Sequence, residues 1–278
     1  MASTDNSGYP PIFIGGMFKS GTSLLRAMIG NHSMVASGLE TYWFDIEWGN
    51  LNSAESKERL RMISEFYELS QDKLASLVED SSCSEAFLTN LMAYWSSVTG
   101  KPRWAEKTPG NVIHIDRIKT YWPDARIVHV VRDPRDIFAS MREAGKWDDI
   151  KSFMDRWSAV FNKIESFDKQ EILNKENYCE IRYEDLVSDP KSTMKAICEF
   201  TELTFEPEIA IFKGKKDDFD KVKSVTGKES TTLARLAKPI STDRLGIWKT
   251  VLSETDLSDL TNASAKLGLS KMYERVCL

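Results

Sequence analysis

Lys19 stands in the middle of a glycine-bearing loop, Gly15-Gly16-Met17-Phe18-Lys19-Ser20-Gly21-Thr22-Ser23. An apolar run (Ile12, Phe13, Ile14) leads into the loop, and a helical pattern with Leu24, Leu25, Met28 and Ile29 on one side leads out of it. A strand, such a loop and a helix N-terminus gather backbone N–H groups and the positive end of a helix dipole at one point. That arrangement holds an anion. The amides from Ser20 through Gly21 and Thr22 to Ser23 are the expected donors, with Lys19 as the adjacent cation. A glycine turn without a ligand is the plain alternative.

A second group lies in Ala125–Met141, ARIVHVVRDPRDIFASM. Here an apolar strand ends in Arg132-Asp133-Pro134-Arg135-Asp136, and a helix follows. Pro134 and its acidic neighbours are helix-start signals. Arg132, at the strand's carboxyl end, is expected to point into a ligand crevice, where its planar fork suits a phosphate monoester. Ser140, two turns into the helix, can reach the same anion. A local salt bridge among Arg132, Asp133 and Arg135 is the competing structural reading.

These residues need a scaffold, and the hydrophobic pattern describes one. Short apolar runs fall at Ile12–Gly16, Trp104–Glu106, Arg126–Val131 and Tyr178–Arg182, with a weaker one at Met34–Ser37. Between them, helical periods occupy Ser56–Glu79, Ser84–Val98, Val112–Tyr121, Asp133–Met141, Ile150–Phe167 and Pro190–Thr201. Alternating strands and helices predict a parallel sheet covered on both faces, with ligands outside the carboxyl ends of the strands. The expected architecture is a three-layer, P-loop-like α/β fold. No internal repeat or low-complexity linker divides the chain, so residues 1–278 are expected to form one domain, with a helical insertion at about 43–98. Lys213–Ser230 is dense in Lys and Asp, lacks apolar period and is expected to be a mobile loop, either a solvated insertion or a lid.

The spacing Gly16-x4-Gly21 is similar to the phosphate loop of P-loop nucleotide enzymes, but those carry a lysine directly after the second glycine. Here that position is Thr22, and the lysine comes two residues before Gly21. A mid-loop cation faces a bridging oxygen rather than a terminal γ-phosphate. The order Lys19-Ser20-Gly21-Thr22-Ser23-Leu24 instead resembles the 5′-phosphosulfate loop of sulfotransferases that use 3′-phosphoadenosine 5′-phosphosulfate (PAPS). The Arg132…Ser140 element resembles the 3′-phosphate-binding element of the same enzymes. With both present, the chain is identified as resembling the PAPS-dependent sulfotransferase superfamily, most closely the tyrosylprotein sulfotransferases and related bacterial sulfotransferases.

Further segments extend the resemblance along most of the chain. Gly38-Leu39-Glu40-Thr41 is similar to a G-E-E-T segment, and the resemblance implies that Glu40 is the catalytic base. Glu106-Lys107-Thr108-Pro109 is similar to E-K-T-P, implying that Lys107 stabilises the transition state alongside Lys19. Arg182-Tyr183-Glu184-Asp185-Leu186 resembles R-Y-E-D-L and places Tyr183 in the adenosine pocket. Lys238-Pro239 resembles a late segment that reaches the nucleotide, and Ser241-x-x-Arg244-x-Gly246-x-Trp248 recurs after it in bacterial members. A hydroxyl from Ser230–Thr232 is expected near the sulfuryl group, with its identity left open. The departures are Leu39 in place of the first glutamate and Lys19 in place of the tyrosyl enzymes' arginine. Cytosolic members share the lysine but use a histidine base; His32, expected on the first helix, is read as structural.

Bulk properties narrow the partners. Composition is ordinary for a folded protein, 41% hydrophobic and 28% charged over 278 residues. A net charge of −5 argues against nucleic acid as a partner, so any phosphate must be met by a local cationic pocket. Cys83, Cys179, Cys198 and Cys277 lie far apart, which opposes a zinc site or a disulfide framework and favours reduced, buried thiols. The N-terminus has no signal pattern and no stretch is apolar enough to span a bilayer. The expectation is a cytoplasmic protein, or a piece separated from an anchor.

The expected activity is transfer of a sulfuryl group from PAPS, without metal, to an acceptor bearing a hydroxyl or phenol, leaving 3′-phosphoadenosine 5′-phosphate (PAP). The aromatic residues Trp43, Phe44, Trp48 and Tyr67 are read first as core and second as an acceptor platform. A P-loop kinase or NTPase and a nucleotide-binding module without turnover are the alternatives.

Overall fold

Side-chain alternation accounts for the sheet. In β1 (Ile12–Gly16) every residue is buried, with Ile12 and Ile14 in one apolar cluster and Phe13 in the other. The same split recurs on the neighbouring strands, where Val128 and Val130 oppose Ile127, and Ala105 opposes Trp104. A sheet buried on both faces needs such near-continuous apolar strands. The computed structural model describes residues 8–146, 149–227 and 229–267.

In chain order, β1 leads to α1 (Thr22–Ile29) and β2 (Val35–Ser37). The helices α2 (Ala54–Phe66), α3 (Gln71–Glu79) and α4 (Ser84–Thr99) precede β3 (Arg103–Lys107). Next come α5 (Ile115–Tyr121), β4 (Arg126–Val131), α6 (Pro134–Glu143), α7 (Ile150–Lys169) and β5 (Tyr178–Arg182). The chain continues through α8 (Tyr183–Ser188), α9 (Pro190–Phe200), α10 (Lys216–Thr226), α11 (Thr231–Leu236), α12 (Trp248–Val251) and α13 (Glu254–Leu267). The five strands are parallel, in the order β2-β3-β1-β4-β5. One face packs against α1, α8, α9 and α11, the other against α2, α4, α5 and the end of α7. This is the three-layer, P-loop-like α/β arrangement. From β1 the chain first builds on one side and then, after β3, crosses to β4 on the other. The loop after β1 therefore lies at the switch in strand order, where open α/β sheets bind ligands.

Several elements differ from the sequence reading. Ser56–Glu79 is two helices, because the chain turns at Glu68 (φ 56°) and Ser70 starts α3 by accepting the Lys73 N–H. Val112–Tyr121 is a 3₁₀ turn, Pro109–Ile113, followed by α5. Within 213–230, residues 216–226 form α10 instead of a loop. Its inward face combines Phe219 and Val222 with Asp218, which pairs with the buried Arg26 of α1. A partly ionic inner face leaves little apolar period in the sequence, which is why the helix is hard to read there. Gly227, at φ 65°, caps it.

His32 follows α1 rather than lying on it; it is buried, with Nε2 2.8 Å from the Thr204 carbonyl, a structural role. Cys179 and Cys198 are buried thiols, whereas Cys83 is a half-buried thiol whose Sγ accepts the Ala86 N–H at the start of α4. Cys277 lies outside the described residues. Trp43 and Tyr67 are buried core residues, and Phe44 and Trp48 pack partly buried against the same cluster. Among the described residues, no helix is long and apolar enough to cross a membrane.

Candidate functional site

The loop after β1 depends on backbone conformations that few residues adopt. Gly16 has φ 151°, and a Cβ there would meet the Val130 carbonyl at 2.4 Å. Gly21 has φ 103°, and a Cβ there would meet the Tyr183 ring at 2.4 Å. Lys19 itself is left-handed at φ 69°. Gly21 is the residue before α1, and no side chain caps that helix, so its first amides open toward the loop. The Ser20 hydroxyl is buried and has no partner among the described residues.

Lys19 projects across the loop mouth. Its Nζ donates to Thr231 Oγ1 and Thr232 Oγ1, both at 2.8 Å, while Ser230 caps α11. Of the three hydroxyls at 230–232, those of Thr231 and Thr232 meet Lys19. Burial and the charges of Lys146, Arg235, Arg244 and Arg132 push the Lys19 ammonium down to about 8.

The carboxyl ends of β2 and β3 bring Glu40 to Lys107. The buried Lys107 Nζ bonds Glu40 Oε1 and, at 2.9 Å, Ser23 Oγ in the first turn of α1. Burial alone would raise the Glu40 carboxyl, yet the Lys107 ammonium and the nearby Tyr42 hydroxyl hold it below its ordinary value. Burial pulls Lys107 down, with the Glu40 charge working against it.

Arg132 does not join the local salt bridge considered from sequence; Asp133 pairs with Arg135 instead. The buried Arg132 guanidinium donates to the carbonyls of Lys19 (2.9 Å) and Arg244 (2.7 Å) and lies 4.3 Å over the Tyr183 ring, and its buried Nε has no partner among the described residues. Ser140 is buried and accepts from Arg235 Nη1 at 3.4 Å. Arg244 and Arg235 both pair with Glu143. Lys238 is exposed at the rim.

A single cavity of about 690 Å³ joins these groups; of the expected residues, all except the buried Ser20 line it. Ten cationic side chains face it (Lys19, Arg26, Arg59, Lys107, Arg132, Lys146, Arg156, Arg235, Lys238 and Arg244), against the carboxylates of Glu40 and Asp243. In a chain of net charge −5, this is a local concentration of positive charge, with the buried Lys107 and the half-buried Glu40 paired at its wall.

Residues 10–207 match the Sulfotransferase family, more than half of the chain. The chain belongs to the sulfotransferase family. It is 24% identical over 271 residues to protein-tyrosine sulfotransferase A of Caenorhabditis elegans, a match covering 94% of this chain and 67% of that protein. It is also 24% identical to protein-tyrosine sulfotransferase 1 of Danio rerio over 251 residues, 87% of this chain and 66% of the relative. The chain thus spans about two thirds of the length of these relatives. In structure it is similar to the sulfotransferase domain of the Synechococcus PCC 7002 olefin synthase, with a TM-score of 0.67, 20% identity, and 92% and 95% of the two chains covered. The sulfotransferase domain from the curacin biosynthetic pathway gives a TM-score of 0.62 at 20% identity, covering 94% of this chain and 98% of the other.

In this sulfotransferase, the sequence reading missed cavity residues contributed by packing. Tyr42, left-handed at φ 47°, faces the cavity beside Glu40, with Arg59 4.3 Å over its ring. Arg26, one turn into α1, adds a buried cation. Tyr42 neighbours Glu40 in sequence and Arg26 follows the loop closely, so proximity was a usable signal for both. Arg59, Lys146 and Arg235 come from α2, the turn after α6 and α11 and carried none.

Proposed function

We propose that this protein transfers the sulfuryl group of PAPS to an acceptor hydroxyl or phenol, with Glu40 as base and Lys19 and Lys107 as charge stabilisers. The observation that carries this reading is the Glu40–Lys107 pair set against Ser23, in the same cavity as Lys19 and Arg132. The residues fit the donor: the unpartnered Ser20 hydroxyl and Arg132 Nε are buried groups suited to anionic oxygens, and only glycine fits at Gly21. The amides of Ser20 to Ser23 would hold the 5′-phosphate, and Arg132 with Ser140 the 3′-phosphate. Tyr183, Lys238 and Arg244 would complete the nucleotide site. We further propose that residues 1–278 form one sulfotransferase domain whose segment 43–98 shapes the acceptor side through Arg59, Met62 and Phe66.

PAPS supplies a sulfuryl group already attached to a phosphate leaving group. Glu40 takes the proton of the acceptor hydroxyl as its oxygen forms a bond to sulfur. The bond from sulfur to the bridging oxygen breaks, its electron pair stays on the phosphate, and PAP is released. Lys19, among four neighbouring cations, and Lys107 offset the charge that grows on the bridging and sulfuryl oxygens. Two lysines serve here where phosphoryl transfer uses magnesium.

Thermal unfolding with PAP, without metal, tests the donor against ATP and GTP with and without magnesium. The reading expects a rise in Tm with PAP alone. A rise confined to magnesium and a triphosphate would overturn it.

A further inference from the structure

Glu106 is fully buried one residue before Lys107, and its carboxylate joins the two strand ends that meet at the candidate site. Its Oε1 accepts from Thr41 Oγ1 at 2.8 Å and from Thr108 Oγ1 at 2.7 Å, with the Thr41 N–H at 3.4 Å. Its Oε2 accepts from Asn111 Nδ2 at 2.6 Å. Thr41 adjoins Glu40, and Thr108 adjoins Lys107.

The other partners of these groups favour donation toward Glu106. Thr41 Oγ1 accepts the Trp43 N–H at 3.3 Å and Thr108 Oγ1 accepts the Tyr42 N–H at 3.1 Å, so each hydroxyl turns its proton toward Glu106. Asn111 cannot present its oxygen to Glu106 instead, because Nδ2 also donates to the Ile14 carbonyl and Oδ1 accepts the Trp43 indole N–H. Each of these groups can donate to Glu106 at once, and a carboxylate, an acceptor at both oxygens, satisfies all of them. The Tyr42 N–H bond also pins a residue held at φ 47°, a conformation that needs support from its surroundings.

We infer that Glu106 is a positioning residue for the sulfotransfer reaction, its anionic carboxylate fastening the Glu40-bearing turn to the Lys107-bearing strand end. The inference rests on the proposed roles of Glu40 and Lys107. Without this carboxylate Thr41 loses its bonds to β3 and the Thr108 hydroxyl loses its acceptor, so the Glu40–Lys107 pair and the Tyr42 N–H are left to hold the base in a looser register. A misplacement of about 1 Å at a reacting group costs about a hundredfold in rate. Burial raises the Glu106 carboxyl, partly offset by hydrogen bonds from Asn111, Thr108 and Thr41, so protonation of this hub adds to the acid limb of activity. The titratable groups placed to act on it are the Lys107 ammonium beside it, the buried Tyr67 phenol and the Glu40 carboxylate beyond Lys107.

The test compares Glu106→Gln, Thr108→Val and Thr108→Ser with Glu40→Gln in the full chain, using PAPS with a tyrosine-containing peptide and a simple phenol as acceptors. Glu106→Gln puts an amide donor against donors, and Thr108→Val removes one. Both should keep the PAP-induced rise in Tm, lower kcat about tenfold to a hundredfold with little change in KM for PAPS, and shift the acid limb of the kcat profile. Thr108→Ser should restore the parent values. Parent-like kcat and acid limb in Glu106→Gln and Thr108→Val, with Glu40→Gln inactive, would overturn the inference alone. Parent-like turnover in Glu40→Gln would instead overturn the role given to the base. Should Glu106→Gln fail to fold, the Thr108 pair decides: loss of kcat in Val that Ser does not recover would also overturn the inference.

Discussion

Lys19 and Thr232 are 213 positions apart in sequence, yet the Lys19 Nζ donates to the Thr232 Oγ1 at 2.8 Å. The contact closes the loop after β1 against α11 and holds an ammonium in a cluster of cations. Phosphate oxygens can replace the two threonine hydroxyls as partners for that ammonium, with the helix-end amides beside them.

The pKa of Lys19 gives a pH dependence of definite sign. Its ammonium is pushed down to about 8 from 10.5, first by burial and then by neighbouring cations. Below about pH 8 the cation is present; above it the neutral amine accumulates and attraction for PAP falls. Calorimetric titration should therefore show PAP affinity dropping as pH rises from 7 to 9, and Lys19→Arg should flatten that drop. Between about 8 and 10.5 the unfolded chain holds more protons at this site than the folded one, so Lys19 makes the ligand-free protein more stable as pH rises through that window. Affinity and ligand-free stability should thus move in opposite directions there.

Glu40→Gln keeps the side-chain shape but removes the carboxylate proposed as base. Turnover should fall at least a hundredfold while the PAP-induced rise in Tm persists. Lys107→Met should also lose turnover, and the Glu40 carboxyl should rise, because the ammonium that holds it down is gone. The pH dependence of residual turnover and of Tm in the two variants checks both statements.

Gly21→Ala should abolish PAP binding. The added Cβ would sit 2.4 Å from the Tyr183 ring, on a backbone with φ 103°, so neither the ring nor the loop can remain in place. Equilibrium binding of PAP by the variant is the measurement; binding within a few-fold of the parent would show that the loop tolerates a side chain.

Asp218→Asn tests how α10 is attached. Arg26 is buried, and Asp218→Asn removes the negative charge it pairs with, leaving a guanidinium in the cavity wall facing a neutral amide. Breaking a buried pair costs on the order of 3 kcal/mol, a drop in stability that denaturant unfolding can read. Limited proteolysis should cut within 216–226 sooner in the variant than in the parent, since among the described residues Lys221–Glu68 is then the ion pair left between α10 and the turn before α3.

Much of the fold was legible because strands buried on both faces must be apolar. Ile12–Gly16, Arg126–Val131 and Tyr178–Arg182 were bounded by sequence as they stand in the sheet. Helix α10 was not legible, since Asp218 faces inward to Arg26 and breaks the apolar rhythm. The division of 56–79 into α2 and α3 turned on Glu68, whose left-handed backbone no residue type there announces.

The sequence by itself determined the local chemistry of the site: a lysine inside the loop, glycines where positive φ is required, and charged residues just beyond strand ends. Those follow from short-range rules of backbone conformation and side-chain type. Only the tertiary structure decided the partners. It set Thr231 and Thr232 on Lys19, sent Arg132 to carbonyls instead of Asp133, and placed Glu106 between the Glu40 turn and Lys107. The physical reason is that parallel pairing of distant strands brings their carboxyl ends side by side, so a contact between two ends is encoded in the sheet order and not in the spacing along the chain.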